Sequence, residues 1–155
     1  QAFKEAGAAG VIMAEPAAGL LSPRGLARFS AGYVKQIVTA VQDPNFTLIL
    51  HNCGAKLAHL PKVLESGAEI YHFGKPMDIL AALQQVEGKA ILCGNLDPTA
   101  VFHDGTVEEV REKTSALLAG AAAYPNFVIS SGCDLPPQTP IANLDAFYET
   151  VRQAG

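Results

Sequence analysis

Five short apolar runs, separated by helical patterns, constrain the fold of this chain more than any other feature. They fall at residues 10–14, 47–50, 69–73, 90–93 and 127–130. Each is too short for a helix and is flanked by Gly, Pro or Asn, which predicts strands. They are apolar nearly throughout rather than alternating, as parallel strands covered on both faces are. Helical spacing fills the gaps. Residues 27–41 place Phe29, Tyr33, Ile37, Val38 and Val41 on one stripe. Residues 57–65 run into Ser66-Gly67, a helix stop. Residues 76–85 start with Pro at a first helical position and turn Ile79, Leu80 and Leu83 inward. Residues 106–119 open with a Thr-Val-Glu-Glu capping box, and 143–152 carry Leu144, Phe147, Tyr148 and Val151 on one face. Alternation of strand and helix through five βα units predicts an α/β fold with a parallel sheet. A complete (β/α)8 barrel takes roughly 250 residues. The 155 residues here therefore form one domain, over 1–155, that is either an open sheet or the C-terminal part of a barrel.

Composition narrows the function classes. The chain is 49% hydrophobic and 17% charged with a net charge of -4, ordinary for a soluble core. Its basic residues are scattered, which excludes a nucleic-acid surface of the usual kind. No apolar stretch reaches the ~18 residues of a membrane span. Three cysteines do not make a disulfide framework, and the odd number suits a reducing compartment, the cytoplasm by default. The opening Gln1-Ala2-Phe3-Lys4-Glu5 is no signal peptide, and without an initiator Met it reads as the start of a piece of a longer protein. There is no Gly-x-Gly-x-x-Gly, no phosphate loop and no internal repeat.

In parallel α/β folds the chemistry sits at the C-terminal strand ends, and polar and soft residues gather there. The five ends carry Glu15-Pro16, His51-Asn52-Cys53-Gly54, His72-Phe73-Gly74-Lys75, Cys93-Gly94-Asn95-Leu96-Asp97 and Cys133-Asp134. Residues two apart on a strand share a side, so His51 and Cys53 face one spot. Together with Cys133 they supply one nitrogen and two sulfurs, the ligand set of a catalytic zinc with one position left open. The alternative is two buried cysteines and a hydrogen-bonded histidine. Two thiolate ligands make a metal soft and suit it to holding a substrate thiolate. Glu15 is either a fourth ligand or nearby base, or a loop cap. Asp97, ahead of Pro98, is either a polar site residue or a helix cap. Arg24, after Ser22-Pro23, either meets an anionic substrate or stands in solvent. Cys93 reads as core packing, His72 as a satisfied strand histidine rather than a ligand, and His59 and His103 as surface.

These segments resemble a known family. Ile49-Leu50-His51-Asn52-Cys53-Gly54, Cys93-Gly94-Asn95-Leu96-Asp97-Pro98, and Ser131-Gly132-Cys133-Asp134-Leu135-Pro136 with Thr139-Pro140-Ile141-Ala142-Asn143-Leu144 are similar to the uroporphyrinogen decarboxylase superfamily. His-x-Cys with a distant Gly-Cys is similar to its zinc-dependent branch, the methylcobamide:coenzyme M methyltransferases, as is Ala14-Glu15-Pro16. The resemblance spans the whole chain as the C-terminal part of that family's barrel. It implies a zinc on His51, Cys53 and Cys133, an acid at Glu15, and transfer of a methyl group from a methylated corrinoid to a thiol such as coenzyme M. Asp97 would share in catalysis, and Asn95 and Arg24 would contact substrate. The implied partners are the thiol and a corrinoid protein or free methylcobamide, with no nucleic acid and no membrane. Where that branch often has an acidic pair, this chain has Gly74 and Lys75, so the thiol need not be coenzyme M. A metal-free decarboxylase of porphyrin-type substrates and a non-catalytic corrinoid-pathway protein are the alternatives. An incomplete barrel leaves open edges, so the piece is expected to self-associate.

Overall fold

A computed structural model describes all 155 residues. Five parallel strands, β1 (Gly10–Ala14), β2 (Thr47–Asn52), β3 (Ile70–Phe73), β4 (Ile91–Leu96) and β5 (Phe127–Ser131), lie side by side in chain order. A doubly wound sheet reverses its strand order at a switch point. This one never does, so the sheet is the curved wall of a (β/α)8 barrel carrying five of its units. Seven helices accompany it. A single turn, α1 (Ala2–Glu5), precedes β1. Next come α2 (Pro23–Leu26) and α3 (Gly32–Val41), joined by a wide helical turn at Ala27–Ala31. Then follow α4 (Leu60–Leu64), α5 (Ile79–Val86), α6 (Val107–Ala121) and α7 (Ile141–Ala154). None is long and apolar enough to cross a membrane.

Local chemistry sets the helix starts. Ser22 accepts a hydrogen bond from the Gly25 amide to cap α2. Thr106 and Glu109 form the expected reciprocal box at α6. The start of α5 differs from expectation. Its cap is Asp78, which accepts from the Ala81 amide at 3.1 Å, and Pro76 stays in the loop. A side-chain acceptor at the cap satisfies an orphan amide, which Pro at a first position only avoids needing.

The core lies between sheet and helices. Leu48, Leu50, Tyr71, Phe73 and Leu92 point outward from the sheet onto Leu26, Val34, Val38, Leu60, Val63, Leu83 and Val86. A second cluster joins Leu96, Phe102, Val110, Ala146 and Phe147, with the Phe102 and Phe147 rings edge-on at 5.4 Å. Burying each such side chain is worth about 1.5–3 kcal/mol. The α3 stripe is corrected by the structure. Val34 and Val38 are buried, whereas Phe29, Tyr33 and Ile37 are exposed on the opposite flank. The segment has two apolar flanks, and only one meets this sheet.

The strands alternate in burial along most of their length, although their sequences do not alternate. Their outward residues are covered by helices; those on the other face, such as Ile12 (62% exposed) and Val128 (51%), line the open concave side. In a closed barrel that side is packed by facing strands. Register aligns one layer across it: Ala14 opposite His51, His51 opposite His72, His72 opposite Cys93, and Cys93 opposite Val128.

Candidate functional site

The C-terminal strand ends build one cleft. Its volume is about 760 Å³, within the usual range for a small-molecule site, and its lining includes Ile12, Ala14, Pro16, His51, Cys53, His72, Ser131, Cys133, Asp134 and Leu135. His51 lies within β2 and Cys53 just beyond it, while Cys133 follows β5 by two residues. Sheet curvature and the two loops bring them together from 82 residues apart in sequence. The His51 nitrogen and both sulfurs all lie within 4.8 Å of one another. Cys133 Sγ is 3.6 Å from His51 Nε2. All three cysteines are free thiols. A smaller cleft of about 200 Å³, lined by Gly74, Lys75, Pro76, Asp97, Pro98 and Gly132, also reaches Cys53 and Cys133.

Close backbone packing holds this rim. A Cβ on Gly74 would lie 2.2 Å from the Cys53 carbonyl oxygen, and one on Gly132 only 3.1 Å from the Gly74 Cα. Only glycine lets these loops approach so closely. The Asn95 amide donates to the Gly74 carbonyl at 3.1 Å and to the Met77 carbonyl at 2.6 Å, fixing the loop after β3.

Burial and neighbours tune the ionisable groups. Burial holds His51 below the usual imidazole range, against the raising influence of His72 and Asp134. His72 is lowered for the same first reason, with the nearby His51 adding to it. The Cys53 thiol is pushed up by burial and then by Cys133. Burial alone pushes Cys93 up to about 11. At Asp97 burial raises the carboxyl, but the Lys75 ammonium and the amides of Ala100 and Thr99 outweigh it and hold it low.

The other residues singled out from sequence take these places. Glu15 is half-buried beside the cleft mouth and accepts from the Ser30 hydroxyl at 2.7 Å. Asp97 accepts from the Thr99 and Ala100 amides, capping the wide turn Pro98–His103, and pairs with Lys75. Arg24 stands exposed on α2, outside the cleft lining. His59 is corrected. It is buried, accepting from the Lys56 amide at 3.0 Å and donating to the Leu21 carbonyl at 2.9 Å. A histidine inside a loop–helix junction satisfies backbone groups that water cannot reach. His72 is, as expected, a strand histidine whose ring nitrogens are satisfied, and its partners are informative. Its ring meets His51 Nδ1 at 2.6 Å on one side and the Ser131 carbonyl at 2.8 Å on the other. Spacing alone could not reveal this, because the contact crosses strands whose register is a tertiary property.

A sequence model of the uroporphyrinogen decarboxylase (URO-D) family matches residues 1–154. A methylcobamide:CoM methyltransferase MtbA of Methanosarcina acetivorans is 30% identical over 98% of this chain and 44% of its own length. A uroporphyrinogen decarboxylase of a Synechococcus species is 32% identical over 97% of this chain and 42% of its own. Among solved structures, a methyltransferase from Methanosarcina mazei superposes with a TM-score of 0.85 at 24% identity, covering 98% of this chain and 44% of that one. The chain thus spans less than half the length of the relatives it matches. With the strand order, the concave face and the family model in agreement, the chain belongs to the uroporphyrinogen decarboxylase family.

Proposed function

We propose that this chain is the C-terminal part of a zinc-dependent methyltransferase that moves a methyl group from a methylated corrinoid to a thiol. The observation that carries the reading is the meeting of His51, Cys53 and Cys133 within 4.8 Å. A tetrahedral zinc with Zn–N of ~2.0 Å and Zn–S of ~2.3 Å separates those donors by roughly 3.6 Å. The Cys133–His51 pair stands at 3.6 Å. Bound there, zinc would supply Lewis acidity that lowers the pKa of a coordinated thiol.

The remaining work falls to the chain itself. Ile12, Ala14, Pro16 and Leu135 give the cleft an apolar lining, beside which a thiolate's attraction to positive charge is stronger than in open water. His51, held below the usual imidazole range, is neutral at pH 7 and free to donate a lone pair. Glu15, positioned by Ser30, is the acid we assign to the metal's surroundings. Asp97 and Asn95 serve the site by holding its loops: Asp97 through Lys75 and the turn it caps, Asn95 through two carbonyls. Arg24, exposed and on α2, is available to an anionic substrate or to the corrinoid carrier.

The 32% identity to a uroporphyrinogen decarboxylase supports a second reading, a metal-independent lyase. It leaves the converging thiols without a task. Metal analysis of the full-length protein separates the two. The methyltransferase reading expects about one zinc per chain, lost in Cys53→Ser, and proton release when a thiol is added. A full-length protein that takes up no zinc, yet decarboxylates a porphyrinogen, would establish the lyase.

A further inference from the structure

We infer that His72 is a positioning residue that fixes the tautomer of His51, so that the unprotonated Nε2 of His51 faces the cysteine pair; the inference rests on the metal reading above. The two Nδ1 atoms lie 2.6 Å apart. Two ring nitrogens at that distance form a hydrogen bond only when one carries the proton and the other is bare. The far end of the chain of contacts decides which. His72 Nε2 is 2.8 Å from the Ser131 carbonyl oxygen and 2.9 Å from the Ser130 hydroxyl. That hydroxyl donates its own hydrogen to the same carbonyl at 2.9 Å. Both oxygens are therefore acceptors toward His72, and its Nε2 carries the hydrogen. A neutral imidazole has a single N–H, so His72 Nδ1 is bare and accepts from His51 Nδ1. The same rule leaves His51 Nε2 bare. This is the nitrogen 3.6 Å from Cys133 Sγ.

The whole assignment thus follows from a backbone carbonyl, which can only accept. Strand pairing supplies the alignment, because His51 and His72 are register partners on β2 and β3. Ligating histidines are commonly held through their second nitrogen by a carboxylate or carbonyl, and losing that partner costs roughly 10–100-fold in metal affinity. Here a neutral ring does the holding, and it relays the orientation from β5 without adding negative charge beside two thiolates.

The test uses the full-length protein and zinc affinity measured by chelator competition. In His72→Phe, which keeps ring bulk and removes the acceptor, affinity is expected to fall roughly 10–100-fold. In His72→Asn, whose amide oxygen stands where Nδ1 stood, most of that loss is expected to be recovered. Nitrogen NMR of the unsubstituted, metal-free protein with labelled histidine is expected to show His51 protonated at Nδ1 and bare at Nε2, a readout that needs no variant. Tight zinc binding that His72→Phe leaves within about twofold overturns the inference and leaves the metal reading intact. A protonated His51 Nε2, or a His72→Asn as weak as His72→Phe, overturns it as well. A full-length protein that takes up no zinc overturns both.

Discussion

Cys53, Cys93 and Cys133 are three free thiols, one within β4 and two in the loops after β2 and β5, and their surroundings separate them. Cys93 sits in the layer of His51 and His72 but belongs to no metal-sized group, and burial pushes it up to about 11. Cys93→Ser in the full-length protein is therefore expected to keep its zinc where Cys53→Ser loses it, as elemental analysis would show. Iodoacetamide at mildly alkaline pH should label Cys93 last, since the thiolate is the nucleophile. The pH dependence of metal uptake has a definite sign. Cys53 is raised, so zinc must displace a proton at neutral pH and affinity rises with pH. Each displaced proton contributes up to about tenfold per pH unit. His51 is lowered, so proton competition at it sets in only below ~6.5. Chelator competition between about pH 6 and 8 should thus show affinity climbing with pH; a flat profile contradicts thiolate ligation. At this scale the sequence was informative about which atoms could bind a metal. It was silent on His72, whose role depends on a neighbour 21 residues away.

Among the elements, the loops after the strands carry the site, and glycine sets how near they come. Gly74→Ala puts a Cβ 2.2 Å from the Cys53 carbonyl, so the loops after β2 and β3 must part. The full-length variant is expected to lose stability by ~1–3 kcal/mol in chemical denaturation and to bind zinc more weakly, since Cys53 moves with its carbonyl. Thr106→Ala removes the cap of α6 and should cost about 1 kcal/mol with zinc content unchanged, because that helix start lies away from the cleft. The capping box was legible because it is local. The helix face of α3 was not. Its segment offers two apolar flanks, and periodicity cannot say which one the sheet will cover.

For the whole molecule, the concave face is what the chain leaves unfinished. Ile12 and Val128 stand open there, and Leu20, Phe29 and Tyr33 are exposed as well. β1 and β5 each have one unpaired edge, and such edges pair with other chains. Residues 1–155 expressed alone should therefore run above the mass of a single chain in light scattering. Ile12→Lys should reduce that association by placing charge on the edge strand. The sequence by itself determined the five βα units, their parallel direction and the one nitrogen and two sulfurs offered at the strand ends, because these depend on short-range periodicity and on the chemistry of single side chains. It also carried two-faced strand hydrophobicity, the mark of a sheet meant to be covered on both sides. Tertiary structure alone decided that the strands follow chain order without a switch point, that two sulfurs and an imidazole meet, and that His72 stands behind His51. Each of these is a relation between segments far apart in the chain, set by strand register and sheet curvature, and no local pattern of residues encodes it.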